Sequence, residues 1–136
     1  RFQLERQLLN GEIKVSELPD AWNSLFEELF ELEVPDPARG CLQDIHWSMG
    51  AIGYFATYTL GNINAAQLFA AANEDSSVRD GIATGHYLPL RNWMRREVHS
   101  HGARYLPKEL IQRATGKAPS IDHYLAHLRS RYASAG

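Results

Sequence analysis

Between Asp44 and Glu74 the chain carries no Asp, Glu, Lys or Arg. Charged residues make up 22% of the whole sequence, so the gap belongs to one segment and not to the overall composition. A segment this long without charge, yet rich in hydrogen-bonding side chains, is expected to be buried with its polar atoms aimed at something. It is long enough to cross a bilayer. Against that stand His46, Ser48, Thr57, Thr59, Asn62, Asn64 and Gln67, each costly in hydrocarbon, and the glycines Gly50, Gly53 and Gly61. The reading is therefore a helix buried inside a protein, with no membrane partner.

Helical periodicity runs through nearly all the rest. Phe2, Leu4, Leu8 and Leu9 share a helical stripe that Asn10-Gly11 can stop. Ile13 and Val15 suggest a short extended piece. Pro19 suits a first helical turn, and Trp22, Leu25, Phe26, Leu29 and Phe30 continue from it at i, i+3, i+4, i+7 and i+8. Val34-Pro35-Asp36-Pro37 breaks the pattern, and a loop is expected from about Ala38 to His46. A long helix is then expected from Trp47 to Ala72, with bends allowed at its glycines. Further helices are expected over Val78–Ala83 (capped by Ser76 or Ser77), Leu88–Ser100, from Pro107 to Gly116, and after Ser120 as far as Tyr132. No strand pattern, repeat or long linker interrupts the series, so residues 1–136 are read as one helical unit.

The totals exclude some functions. A net charge of -2 gives no electrostatic case for nucleic acid, and Arg91, Arg95, Arg96 and Arg104 read as a solvated face. Cys41 is the sole cysteine, which rules out an internal disulfide and fits a cytoplasmic location. There is no G-x-S-x-G elbow and no phosphate-cradling glycine loop. Cys41 and His46, five residues apart, match no thiol dyad arrangement.

The residues with chemical capacity lie around the start of the neutral stretch. A neutral His46 can donate an N–H to an oxyanion, its tautomer fixed by Asp44 or a backbone carbonyl; the residue can equally be a histidine satisfied by a neighbour. Tyr54 and Tyr58 are four apart, so on a helix they share a face, where they either pack or offer phenol donors. Gln43 and Asp44 read as supports: Asp44 either accepts the second N–H of a metal-ligating histidine that lies outside these residues or makes a local contact to loop N–H groups. Trp47 reads as core. His123 with His127, and His99 with His101, have chelating spacing but lack acidic or Cys partners, and no metal site is expected in this chain.

Gly40, Gln43, Asp44, His46 and Trp47 fit the pattern G-x-x-Q-D-x-H-W, and Gly53-Tyr54-Phe55 followed by Thr57-Tyr58-Thr59-Leu60-Gly61 looks like the segment that comes after it. In these residues the chain resembles the carboxypeptidase Taq family of thermostable zinc metallocarboxypeptidases. Leu18-Pro19-Asp20-Ala21-Trp22-Asn23, His101-Gly102 with Tyr105, and Arg113-Ala114-Thr115-Gly116 add to the likeness; Ala56 stands where the family commonly has Pro.

The resemblance implies an all-α fold, the C-terminal portion of a helical zincin-type metallopeptidase with a long buried central helix. It implies a zinc-dependent enzyme, often a homodimer, that removes C-terminal residues from peptides with broad specificity. His46, Tyr54 and Tyr58 would then stabilise the oxyanion, with Gln43 and Asp44 in support. The zinc ligands, the catalytic Glu and the substrate-carboxylate arginines would lie in the N-terminal part of the same protein. The chain starts without Met, inside a helical pattern, and lacks H-E-x-x-H. It is therefore expected to be an excerpt that is inactive and metal-free when isolated. The alternative is a non-catalytic helical interaction module that binds a partner helix through Trp22, Phe26 and Phe30, or through Trp93.

Overall fold

The computed structural model of the chain describes residues 1–133, and these fold into helices with no strand among them. Helix α1 (Phe2–Leu9) is followed by a 3-10 turn (Val15–Glu17) and α2 (Leu18–Phe30). After a long irregular segment come α3 (Ala56–Ala72), α4 (Ser76–Ala83), α5 (Leu88–Glu97), a second 3-10 turn (His99–His101), α6 (Pro107–Thr115) and α7 (Asp122–Leu128). The last described residues, Arg129–Ala133, form a π-helical turn.

The chain divides into two compact units, Arg1–Tyr58 and Thr59–Gly136. The division falls inside α3, a helix, and not in a linker. In the first unit Leu4, Trp22 and Cys41 are buried, with Leu18, Leu25, Phe26 and Trp47 packed against them. In the second, Ala72, Val78 and Trp93 are buried, with Leu68, Ile82, Leu90 and Ala114 around them. Gly81 belongs to this second packing: a Cβ there would lie 2.5 Å from the His86 carbonyl oxygen, so any side chain would push the α4–α5 turn apart. Trp22 and Trp93 are thus core residues and not a docking surface, while Phe30 stays 59% exposed beside Phe26.

Several boundaries differ from expectation, each for a local reason. The helix expected from Trp47 begins at Ala56 instead. Gly50 (φ 75°) and Gly53 (φ 82°) adopt left-handed backbone that a continuous helix does not contain. Ile13 and Val15 form no extended piece, because the Glu17 carboxylate accepts the Lys14 N–H at 2.7 Å and tightens the segment into a 3-10 turn. Asp75, and neither Ser76 nor Ser77, caps α4, accepting the Ser77 N–H at 2.9 Å. Helix α5 stops at Glu97, before the His99–His101 turn. Ser120 accepts the Asp122 N–H at 3.1 Å, but the N-cap residue of α7 is Ile121.

The neutral helix is also less covered than expected. Only Gln67 and Ala72 of α3 are buried, whereas Tyr58, Leu60 and Phe69 are about half exposed. A helix without charge on any face hides only the face that meets a neighbour, and within this chain the rest has no cover among the described residues. No helix there is long and apolar enough to cross a membrane.

Candidate functional site: a carboxylate-held histidine between two phenols

The loop before His46 is built by short-range hydrogen bonds. Asp36 Oδ1 accepts the Arg39 N–H at 2.9 Å, and its carbonyl accepts the N–H of Gly40 at 3.0 Å. Gly40 passes so close to Val34 that a Cβ would lie 2.8 Å from Val34 Cγ1. The next turn is made by Asp44, whose Oδ1 accepts the backbone N–H of His46 at 2.8 Å. This is the local contact anticipated as one role for Asp44. The same oxygen also receives the His46 ring at Nδ1, 2.5 Å away. Asp44 Oδ2 pairs with the Arg1 guanidinium at 2.8 Å.

The Asp44 carboxyl is held below the usual carboxylate range. The His46 backbone N–H is the largest cause, and the His46 ring and the Arg1 charge add to it against a smaller opposing effect of burial. The native carboxyl is therefore a stronger acid than the same group in the unfolded chain. Between the two midpoints the unfolded chain binds more protons, so this contribution to stability is present above the unfolded midpoint. It is lost as pH falls through the native one. Carbon-detected NMR titration should place the Asp44 midpoint below that of an unstructured Asp. A midpoint at or above that reference would contradict the geometry.

Beyond the ring, Tyr58 Oη lies 3.2 Å from His46 Nε2. Tyr54 stacks on the imidazole at a centroid distance of 5.0 Å and 27°, and meets Tyr58 edge-on at 5.5 Å. Tyr54 sits just before α3 and Tyr58 in its first turn, so the two phenols converge without sharing a continuous helix. Phe55, buried, closes the ring's other contacts at 5.2 Å. Tyr54 and Tyr58 are 45% and 53% exposed, so both residues are reachable from solvent.

This geometry decides a point of tautomerism. With a carboxylate at Nδ1, a neutral His46 keeps its proton there, and Nε2 is an acceptor for the Tyr58 hydroxyl. Donation from Nε2 to an oxyanion therefore requires the protonated ring, not the neutral one that the sequence suggests. Tyr58 can donate in either state.

Of the expected site residues, Asp44, His46, Tyr54 and Tyr58 come together. Gln43 does not join them. It is exposed and lines a groove of about 310 Å³ with Leu4, Trp22, Leu25 and Phe30. Two contributors were not legible in the sequence: Arg1, which pairs with Asp44, and Glu5. Glu5 is 3% exposed and accepts the Trp47 indole N–H at 2.7 Å and the Gly53 N–H at 2.9 Å. A charged residue inside the apolar stripe of α1, next to Leu4, is the one signal that marks it. In the second unit, His123 and His127 lie on α7 and His101 packs edge-on against Tyr105 at 5.3 Å.

The class defined here is an all-helical protein segment that presents an imidazole fixed by a carboxylate and flanked by two half-exposed tyrosines. Comparison with known proteins makes it particular. The model of the carboxypeptidase Taq (M32) metallopeptidase family matches residues 1–132, and the chain belongs to that family. It is 38% identical to thermostable carboxypeptidase 1 of Thermus thermophilus over 98% of its own length and 26% of the relative's. It is 33% identical to carboxypeptidase 1 of Bacillus subtilis, over 98% of its own length and 27% of the relative's. The solved M32 carboxypeptidase of Deinococcus radiodurans superposes with a TM-score of 0.91 at 41% identity, over 98% of this chain and 27% of that one. Metallocarboxypeptidase 1 of Trypanosoma cruzi gives a TM-score of 0.90 at 35% identity, over 97% of this chain and 28% of that one. The chain thus spans about a quarter of the length of the relatives it matches.

Membership in a metallopeptidase family implies a metal. Among the described residues no three His, Cys, Asp or Glu side chains converge to hold one, so these residues do not fit a catalytic metal centre.

Proposed function

We propose that this chain is the C-terminal part of a zinc-dependent metallocarboxypeptidase that releases C-terminal residues from peptides with broad specificity. The zinc ligands are supplied by the N-terminal part of the same protein. In this reading the enzyme is cytoplasmic and homodimeric, and residues 1–136 act as one helical portion of its catalytic domain. The single observation that carries the proposal is the Asp44–His46–Tyr58 hydrogen-bond chain with its tyrosines reachable from solvent.

These residues are suited to one task. As the scissile carbonyl becomes tetrahedral, charge builds on its oxygen, and a donor held in place beforehand binds that charge more strongly than the ground-state carbonyl. Asp44 fixes the imidazole plane, Tyr58 turns its hydroxyl from Nε2 toward the oxygen, and a protonated His46 adds a second donor. Tyr54 shields one ring face from water.

The full-length protein should release a free amino acid from an N-blocked dipeptide that has a free carboxylate. It should leave the matching C-terminal amide intact, and a chelator should abolish the activity. Equal cleavage of acid and amide, or full activity after metal removal, would overturn the proposal.

A further inference from the structure

Glu5 is a buried carboxylate that no step above uses. It is 3% exposed and follows Leu4, a residue of the first unit's core, in sequence. Its two oxygens are divided between two donors. Oε2 accepts the indole N–H of Trp47 at 2.7 Å, and Oε1 accepts the backbone N–H of Gly53 at 2.9 Å. Those donors are sequence neighbours of the site residues: Trp47 follows His46, and Gly53 precedes Tyr54. Gly53 is held in left-handed backbone (φ 82°), and the peptide N–H of that residue is the group Glu5 receives. Trp47 is fixed a second way, by edge contacts to Trp22 at 6.4 Å and to Phe55 at 5.6 Å.

We infer that Glu5 is a positioning residue for the reaction: a single carboxylate on α1 clamps both ends of the 47–53 loop and thereby sets the stack of Tyr54 on His46. This rests on the carboxypeptidase reading above. The physical case is geometric. The loop's other hydrogen bonds are local, such as Gly50 N–H to the Trp47 carbonyl at 3.0 Å and Ala51 N–H to the His46 carbonyl at 2.9 Å, so the Glu5 carboxylate is what ties residues 47 and 53 to α1, beside the Asp44 and Tyr58 contacts that hold the ring. Charge-assisted bonds are the stronger kind and hold their donors to a narrow range of positions. A displacement on the order of 1 Å at a reacting group can cost up to about 10²-fold in rate.

The test uses the full-length, metal-loaded enzyme with an N-blocked dipeptide. Glu5→Gln keeps the shape and one acceptor oxygen but loses the second, and Trp47→Phe removes only the indole donor. Glu5→Gln should lower kcat roughly tenfold with KM within about twofold, at unchanged metal content and with a cooperative melt retained. Glu5 and Trp47 are in direct contact, so the double variant should fall short of the product of the two single effects. Wild-type kcat in Glu5→Gln would overturn the inference, as would losses that multiply in the double variant or that follow a fall in folded or metal-bound protein. His46→Ala serves as the reference. A slow His46→Ala beside a normal Glu5→Gln refutes only the role of Glu5. Normal rates in both refute the carboxypeptidase role of this segment as well.

Discussion

In the full-length enzyme, His46→Ala is expected to lower kcat by on the order of 10²–10³, about 3–4 kcal/mol of transition-state stabilisation, with KM changed by no more than a few-fold. The size follows from what is lost. The ring is the one group that contacts Asp44, Tyr54 and Tyr58 together, so its removal frees both phenols as well as deleting a donor. Tyr58→Phe should produce a loss of similar order, because its hydroxyl is the only polar atom removed. Tyr54→Phe should be milder, since its ring stacks on His46 but its hydroxyl makes no hydrogen bond to it.

His46 and Tyr58 are in contact, so the double variant should fall short of the product of the two single effects. Steady-state kinetics on a blocked dipeptide, with metal analysis of each variant, provides the test. Near-wild-type kcat in both single variants would reduce the segment to scaffold. Activity that merely tracks metal content would make these residues supports of the metal site.

The largest effect on stability is expected at Gln67. It is 1% exposed, in α3, and its carboxamide holds the turn between α6 and α7. Its Nε2 donates to Thr115 Oγ1 at 2.9 Å, the Ala118 carbonyl at 3.1 Å and the Lys117 carbonyl at 3.2 Å. Its Oε1 accepts the Ser120 N–H at 2.9 Å. Two amide hydrogens serve three acceptors, so at least one bond is shared. Gln67→Leu keeps the bulk and abolishes all of these, so the Ala118 carbonyl and the Ser120 N–H lose their side-chain partner, while the Lys117 carbonyl keeps the Thr115 hydroxyl at 3.1 Å.

A buried group left unsatisfied costs about 1–3 kcal/mol, and because Ala118 is exposed and Ser120 half-buried, water recovers part of that, so a net loss of about 1–2 kcal/mol is expected. In hydrogen exchange of the full-length protein the Ser120 amide should lose protection by roughly 10²-fold. An unchanged Ser120 exchange rate would show that the turn is held by its own backbone. Gln67→Glu should be worse still, since it sets a carboxylate against two carbonyl oxygens.

What the residues alone determined is the local part of this structure. Helical periodicity placed α1, α2 and α6, because a stripe of apolar residues at i, i+3, i+4 and i+7 has one economical backbone solution. Gly116, in left-handed backbone at φ 73°, ends α6 where the sequence predicts it. Asp44, His46, Tyr54 and Tyr58 come together as their spacing suggests, since residues on one short segment stay close however the rest folds.

What the tertiary structure decided depends on partners far away in sequence. Glu5 meets Trp47 and Gly53 more than forty residues on, and Gln67 meets Ser120 at a similar remove. Neither pairing leaves a periodic trace. The start of α3 was lost for the same reason. Residues 47–55 have helix-compatible composition, but holding the Gly53 N–H on Glu5 and turning Gly50 and Gly53 left-handed bends the chain away from a helix. The same loop presses His46 Nδ1 onto Asp44, which assigns the ring's proton. A buried carboxylate that gathers donors from a distant loop outweighs the few tenths of a kcal/mol per residue by which propensity favours continuing a helix.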